Sequence, residues 1–281
     1  MKTLFIILNI FLFTFQISAQ PLQRVAPEQV GMNSRHLTYA DQAIEKAINN
    51  KDIPGAVLAV VRHGKLAYLK AYGCKQTFPT REPMDTHTVF DMASVSKSIS
   101  TAICTLILTE RGQLRLTDPV NLYLPVFSEE IRITDLLTHT SGLPAYAPVN
   151  KLVEQYGSPN PEGLIEYIAG CKPVFKPGSD FQYSCLNYIV LQHIIETISG
   201  QSLRDFAKAN IFDPLGMSHT DYCPTGEILE HCAPTEKQKD GNVLKGVVHD
   251  PLARIMNGGI SGNAGVFRCQ RSGHTIRHVV E

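Results

Sequence analysis

The chain has 281 residues, 43% hydrophobic and 19% charged, with 26 basic and 26 acidic residues and a net charge of zero. That is ordinary globular composition, long enough for one large domain or two small ones. The balanced charge gives no hint of nucleic acid or an anionic membrane as partner, and no repeat or low-complexity stretch is present.

Met1-Lys2-Thr3 leads into the apolar run LFIILNIFLFTF and then QISAQ. One positive charge, twelve largely apolar residues and a small residue at Ala19 describe a secretory signal peptide over residues 1–19. The run is shorter than the ~20 apolar residues that span a bilayer, so a membrane anchor is the weaker reading. The expected mature chain starts near Gln20 and is secreted or periplasmic.

Residues 34–50 have helical spacing, with Ser34 as the candidate N-cap. AVLAVVRHGKLAYLKAYG follows the Pro54-Gly55 break and reads as a hairpin turning at Arg62-His63-Gly64-Lys65. Its apolar first strand is expected to be central in a sheet. SVSKSISTAICTLILTERGQL predicts a core helix from Ser94 to about Arg111, stopped by Gly112. Positions 95, 99, 102–103 and 106–107 would form its buried face. TDLLTH, PEGLIEYIA, CLNYIVLQHIIETIS and SLRDFAKANIF follow as helices separated by Pro/Gly turns, a candidate helical subdomain. Residues 221–262 are turn-rich and polar. The class is α+β, with fewer strands in 20–267 than its sheet requires.

Seven cysteines at irregular spacing give no disulfide framework. Cys104, in AICTLIL, reads as core. Cys223 and Cys232 with His219 and His231 match no metal-ligand spacing, so no metal site is expected.

Ser94-Val95-Ser96-Lys97 is the only S-x-x-K in the chain. Positions three apart share a helix face, so the Ser94 hydroxyl and Lys97 amine can meet. A serine hydroxyl needs a base beside it to act as nucleophile, and a lysine whose pKa is lowered can be that base. The Ser94 N–H, at a helix start, is a natural oxyanion donor. The competing reading is an N-cap serine and a solvated lysine.

The segments FDMASVSKSISTAICTLILTERGQLRLTDPVNLYLP, ITDLLTHTSGLP, FKPGSDFQYSCLNYIVLQHIIETISGQSL and IFDPLGMSHT, in that order, resemble the β-lactamase-related serine hydrolases. That family contains class C β-lactamases, D-Ala-D-Ala carboxypeptidases and β-lactamase-fold esterases. The likeness runs from about Val30 to Phe267, and CAPTE…GVVHDPLARIMNGGISGNAGVF resembles the esterase-like branch. It implies a β-lactamase/transpeptidase-like fold: an antiparallel sheet flanked by helices, plus a helical subdomain. It also implies Ser94 as the acylated nucleophile, Lys97 as its proton-accepting partner and Tyr183 as a proton relay. Where the family usually has Asn or Asp, holding the lysine and the substrate amide, this chain has Cys185. Asn187 is near in sequence but falls on another helix face. His139 in LLTHTSGLP is placed as a structural turn by the resemblance. The implied substrates are small-molecule esters, β-lactams or peptidoglycan-type peptides, with no metal or organic cofactor.

The family's third element is a strand bearing Lys-Thr-Gly or His-Thr-Gly, well beyond Phe267. Gly273-His274-Thr275 has those letters in part, but Ile276 replaces the needed Gly. Read one base further on, one choice of codons for Arg268 to Glu281 encodes DANDLAILFAMLLN, a helix of the family's pattern. The expectation is a hydrolase domain over 20–267, lacking its C-terminal strands, and an out-of-frame tail over 268–281. A remnant without activity, or a penicillin- or peptidoglycan-binding protein, is the alternative to the enzyme.

Overall fold

The computed structural model describes residues 22–128 and 130–269. Residues 1–21 and 270–281 lie outside it, and with them the signal-peptide expectation and Gly273-His274-Thr275.

The first helix, α1 (Ser34–Asn49), is capped by Asn33 rather than Ser34: the Asn33 side chain accepts from Arg35 N at 2.9 Å. A carboxamide oxygen reaching two residues forward satisfies one of the orphan N–H groups of a first turn. Strands β1 (Gly55–Arg62) and β2 (Lys65–Gln76) form the expected antiparallel hairpin, closing on Arg62 paired with Lys65. His63 and Gly64 both take positive φ, 49° and 63°, as a two-residue turn matched to strand twist requires. The order of this sheet is β1, β2, then β3 (Glu82–Pro83). Among the described strands β2 is therefore the middle one, and β1, expected to be central, has a partner on one side only.

After β4 (Val89–Asp91) the chain turns into the core helix. It opens as a π-helical turn, Lys97–Thr101, and continues as α2 (Ala102–Glu110) to Arg111, with Gly112 at φ 69°. Its buried stripe is Lys97, Ser100, Thr101, Cys104, Thr105 and Leu108, whereas Val95 and Leu106 are exposed. Of the expected face, Ile99, Ala102, Ile103 and Ile107 pack against the main core, and only Val95 and Leu106 are corrected. The π turn lodges an extra residue, with Ala102 N donating to Lys97 O, and rotates the positions that follow.

Helices α3 (Ile133–Leu137), α4 (Val149–Tyr156), α5 (Pro161–Ala169), α6 (Cys185–Ser199) and α7 (Leu203–Ala207) form a helical layer around one large apolar core. In α6 every residue from Leu186 to Ile195 is buried, so it is the axis of that layer. Short elements follow: β5 (Thr220–Tyr222), α8 (Gly226–Glu230), β6 (Glu236–Lys237) and β7 (Val243–Leu244). The last described strand, β8 (Val266–Cys269), lies between β4 and β5, antiparallel to both. Arg268 and Cys269 thus extend a buried central strand. A second, smaller core joins Val89, Cys232, Val248, Ala253, Ala264, Phe267 and Cys269. Cys104 is fully buried in the first core, and burial pushes its thiol up to about 12.

Candidate active site

Between β4 and the core helix the backbone makes a tight corner. Ala93 sits at φ 44°, a left-handed conformation that costs a non-glycine residue roughly 1–2 kcal/mol. Asp91 holds the corner: one carboxylate oxygen accepts from Ala93 N and the other from His249 N, each at 2.8 Å. Strain held in place by such over-determination marks functional corners. Val95, Ser96 and Lys97 N–H groups donate to carbonyls three residues back. The Ser94 N–H has no acceptor among the described residues, so it remains free at the lip where an oxyanion would form.

Ser94 is exposed and Lys97 is buried beneath it. The Lys97 Nζ donates to Ser94 Oγ at 3.0 Å and to the Asn263 carbonyl at 2.9 Å. It also lies 3.7 Å from Cys185 Sγ. The rings of Tyr183 and Tyr188 flank it, with centroids 5.0 and 5.8 Å away. A buried amine is costly unless hydrogen-bonded, and these contacts are its compensation.

All four residues singled out in the sequence, Ser94, Lys97, Tyr183 and Cys185, therefore meet at one place. Two details differ from the simplest expectation. Tyr183 presents its ring to Lys97, and its hydroxyl makes no hydrogen bond to Ser94 or Lys97. Burial pushes the Cys185 thiol up, partly opposed by the Lys97 charge, so the group facing the lysine is a neutral thiol and a weak acceptor. Asn187, one turn into α6, faces elsewhere: its Oδ1 accepts from Ser141 Oγ at 2.6 Å.

Three supports were not read from the sequence. The first is the Asn263 carbonyl, aimed at Lys97 by a buried network. Gln192 Oε1 accepts from Gly262 N at 2.9 Å and from Asn257 Nδ2 at 3.2 Å. Ser261 Oγ donates to Asn263 Oδ1 at 2.6 Å, and Thr101 Oγ1 donates to Gly262 O at 2.8 Å. The glycine-rich string ISGNAG was the available signal, since such strings allow close backbone approach. The second is Asp91. The third is Tyr146, whose hydroxyl donates to Asp250 Oδ2 at 3.0 Å and accepts from Leu252 N at 3.1 Å. It sits on the stretch whose neighbouring carbonyl, Ala145 O, accepts from Cys185 N at 2.9 Å.

A family model described as Beta-lactamase matches residues 40–269. The chain belongs to the Beta-lactamase family. Members of this family are serine hydrolases acting on β-lactams or D-Ala-D-Ala peptides, so the chain is a hydrolase by family. It is 32% identical to a Bacillus subtilis (strain 168) protein named N-acetylmuramyl-L-alanine amidase, over 95% of this chain and 70% of that one. It is 28% identical to a putative D-alanyl-D-alanine carboxypeptidase of Escherichia coli (strain K12), over 95% of this chain and 69% of that one. Among solved structures it resembles an octameric penicillin-binding protein homologue from Pyrococcus abyssi. The TM-score there is 0.68 at 26% identity, covering 84% of this chain and 54% of that one. A class C β-lactamase shares the fold, with a TM-score of 0.70 at 23% identity, covering 85% of this chain and 62% of that one. The family match ends at Cys269, so it takes in all of β8.

Proposed function

We propose that this protein is an exported serine hydrolase that forms an acyl-enzyme on Ser94 and acts on ester, β-lactam or D-amino peptide carbonyls. One observation carries the reading: the exposed Ser94 hydroxyl lies 3.0 Å from the amine of buried Lys97. A nucleophile within hydrogen-bond reach of a base, with that base oriented by a third group, is the signature of covalent catalysis. Here the third group is the Asn263 carbonyl.

In its neutral form the Lys97 amine accepts the Ser94 proton as Oγ attacks the carbonyl carbon. The Ser94 N–H receives the developing oxyanion. As the tetrahedral intermediate collapses, a proton passes to the leaving group through Tyr183, whose ring adjoins Lys97. Water then attacks the acyl-enzyme and gives a proton to the neutral Lys97 amine, which returns it to Ser94 Oγ as the Ser94–acyl bond breaks and the carboxylic acid leaves. The residues in this sequence carry each proton step without a cofactor. The fluorophosphonate test is direct: the exported protein is labelled on Ser94, and Ser94→Ala abolishes the label. A well-folded protein that takes no label would overturn the reading.

A second reading is a penicillin- or peptidoglycan-binding protein that acylates and does not turn over. It is favoured by Cys185, which gives Lys97 a sulfur contact at 3.7 Å in place of a carboxamide or carboxylate. A penicillin adduct that persists for hours, with no ester turnover, is its expected outcome.

A further inference from the structure

The segment carrying Tyr183 is fastened to the loop after α3 by contacts that converge on His139. The His139 carbonyl accepts from Gln182 N at 3.0 Å. Its ring Nδ1 accepts from Ser184 N at 3.1 Å. Its ring lies against that of Tyr183, with centroids 4.5 Å apart. One residue therefore grips both neighbours of Tyr183 and the tyrosine ring itself. His139 adopts φ 60°, and its carbonyl and side chain both engage the same loop segment, residues 182–184. Histidine and asparagine enter that region more readily than most residues.

We propose that His139 is the positioning residue for Tyr183, and that it works only as a neutral imidazole protonated on Nε2. The tautomer follows from hydrogen-bond polarity. A backbone N–H can only donate, so the Nδ1 that receives Ser184 N–H carries no proton. The Asn187 carboxamide nitrogen, 3.4 Å from the same Nδ1, presents a second donor from α6. Protonating Nδ1 would set a donor against both.

The groups facing the imidazole keep it neutral. Burial comes first, and the Lys97 charge from the core helix adds to it; together they hold His139 below its ordinary value. Tyr183 lies on one side and Tyr188, from α6, lies 5.3 Å away centroid to centroid. Asp135, on α3 itself, is engaged by Thr140 Oγ1 and Arg132 N. The clamp is therefore closed at neutral pH. As pH falls through the lowered His139 value, Ser184 N–H loses its acceptor and Tyr183 is released.

This inference rests on the proposed role of Tyr183, so the experiment has one arm that needs no catalysis. In the first arm, nitrogen-15 imidazole spectra of the full-length protein are followed with pH. We expect the Nε2–H tautomer, a midpoint below 6.5, and a Ser184 amide shift that moves with the same midpoint. An Nδ1–H tautomer, or a Ser184 amide indifferent to the titration, overturns the clamp whatever the enzyme does. In the second arm, p-nitrophenyl butyrate hydrolysis is measured for His139→Ala and His139→Asn. Alanine is expected to lower kcat about 10- to 100-fold with KM within about twofold, a loss smaller than the roughly 10²–10⁴ of a general acid–base group itself. Asparagine tolerates the left-handed backbone and offers an oxygen to Ser184 N–H. It should recover most of kcat and remove the acid-side loss that the imidazole imposes. A folded His139→Ala with unchanged kcat, or an asparagine variant that keeps the acid limb, overturns the proposal. If the unaltered protein takes no fluorophosphonate label on Ser94 while the first arm gives the expected tautomer, the catalytic reading fails and the clamp stands.

Discussion

Gly262 packs its α-carbon against the carbonyl of Tyr188 so closely that a β-carbon would lie 1.9 Å from that oxygen. The contact fixes how far residues 261–264 can approach α6 and the core helix, and so where the Asn263 carbonyl stands relative to Lys97. Gly262→Ala must push backbone apart, because the obstructing atom is a main-chain oxygen. Destabilisation of about 3 kcal/mol is expected, at the upper end of overpacking costs. Urea unfolding gives that number. The added expectation is functional: at a temperature where the variant is fully folded, its labelling on Ser94 is slower than that of the unaltered protein. Full-rate labelling would show that Lys97 does not depend on this approach.

Replacing Cys185 by asparagine tests what the thiol withholds. The sulfur accepts weakly at 3.7 Å, whereas a carboxamide oxygen bonds an ammonium well and its amide can face the substrate. Cys185→Asn is expected to raise kcat/KM for esters by about tenfold, the effect of one additional hydrogen bond of ~1.4 kcal/mol. Cys185→Ala should change little. If both variants lose activity equally, the thiol itself is needed and the family comparison misleads at this position.

Tyr183→Phe isolates proton transfer from packing, because the ring that adjoins Lys97 and His139 is retained. A drop in kcat of roughly 10²–10⁴ is expected, with KM nearly unchanged. Thermal unfolding should be unaltered within error, since the hydroxyl has no hydrogen bond to the pair it serves. Lys97→Met, by contrast, should abolish labelling, because it removes the base from Ser94 and leaves the Asn263 carbonyl without its donor. A Lys97→Met protein that still acylates at the original rate would remove lysine from the mechanism.

Some of this site was legible in the residues. Ser94 and Lys97 are three apart on a helix, and that spacing alone brings hydroxyl and amine together. The hairpin turn was legible at His63-Gly64, and CLNYIVLQHIIETIS was legible as a helix, though not that Asn187, Gln192 and His193 in it are buried with its apolar residues. The core helix misled in an instructive way. Of the apolar face that the spacing predicts, Ile99, Ala102, Ile103 and Ile107 pack against the main core, yet Val95 and Leu106 point to solvent while Ser100, Thr101 and Thr105 are buried. Those hydroxyls face partners far away in sequence: Thr101 binds Gly262 O and Ser100 accepts from Tyr222 OH at 2.9 Å. A polar stripe bonded to a distant loop has the same composition as a solvated one. Only tertiary contact distinguishes them, and the π turn at Lys97–Thr101 shifts the phase further. The support from Asn263 was hidden for the same reason, since a main-chain carbonyl leaves no mark on residue identity.

Acid stability supplies a last prediction, independent of catalysis. His193 lies on α6 in the main helical layer, 7% exposed, and its Nε2 has no hydrogen-bond partner among the described residues. Burial alone lowers it from an ordinary value near 6.5 to about 4. The folded protein therefore refuses a proton that the unfolded chain accepts throughout that interval. Above 6.5 neither state is protonated and His193 is neutral to stability. As pH falls from 6.5 towards 4 stability declines, by roughly 3 kcal/mol at ~1.36 kcal/mol per pH unit, and below 4 the loss levels off. His193→Leu removes the ionisable group while keeping an apolar side chain in the core. Urea midpoints of the two proteins at pH 7.5 and 4.5, under matched salt, read the difference directly. The unaltered protein should lose more stability between those values than the variant does, by most of that amount. Parallel losses would mean that His193 gains a proton partner or water in the folded state and is not a source of acid sensitivity.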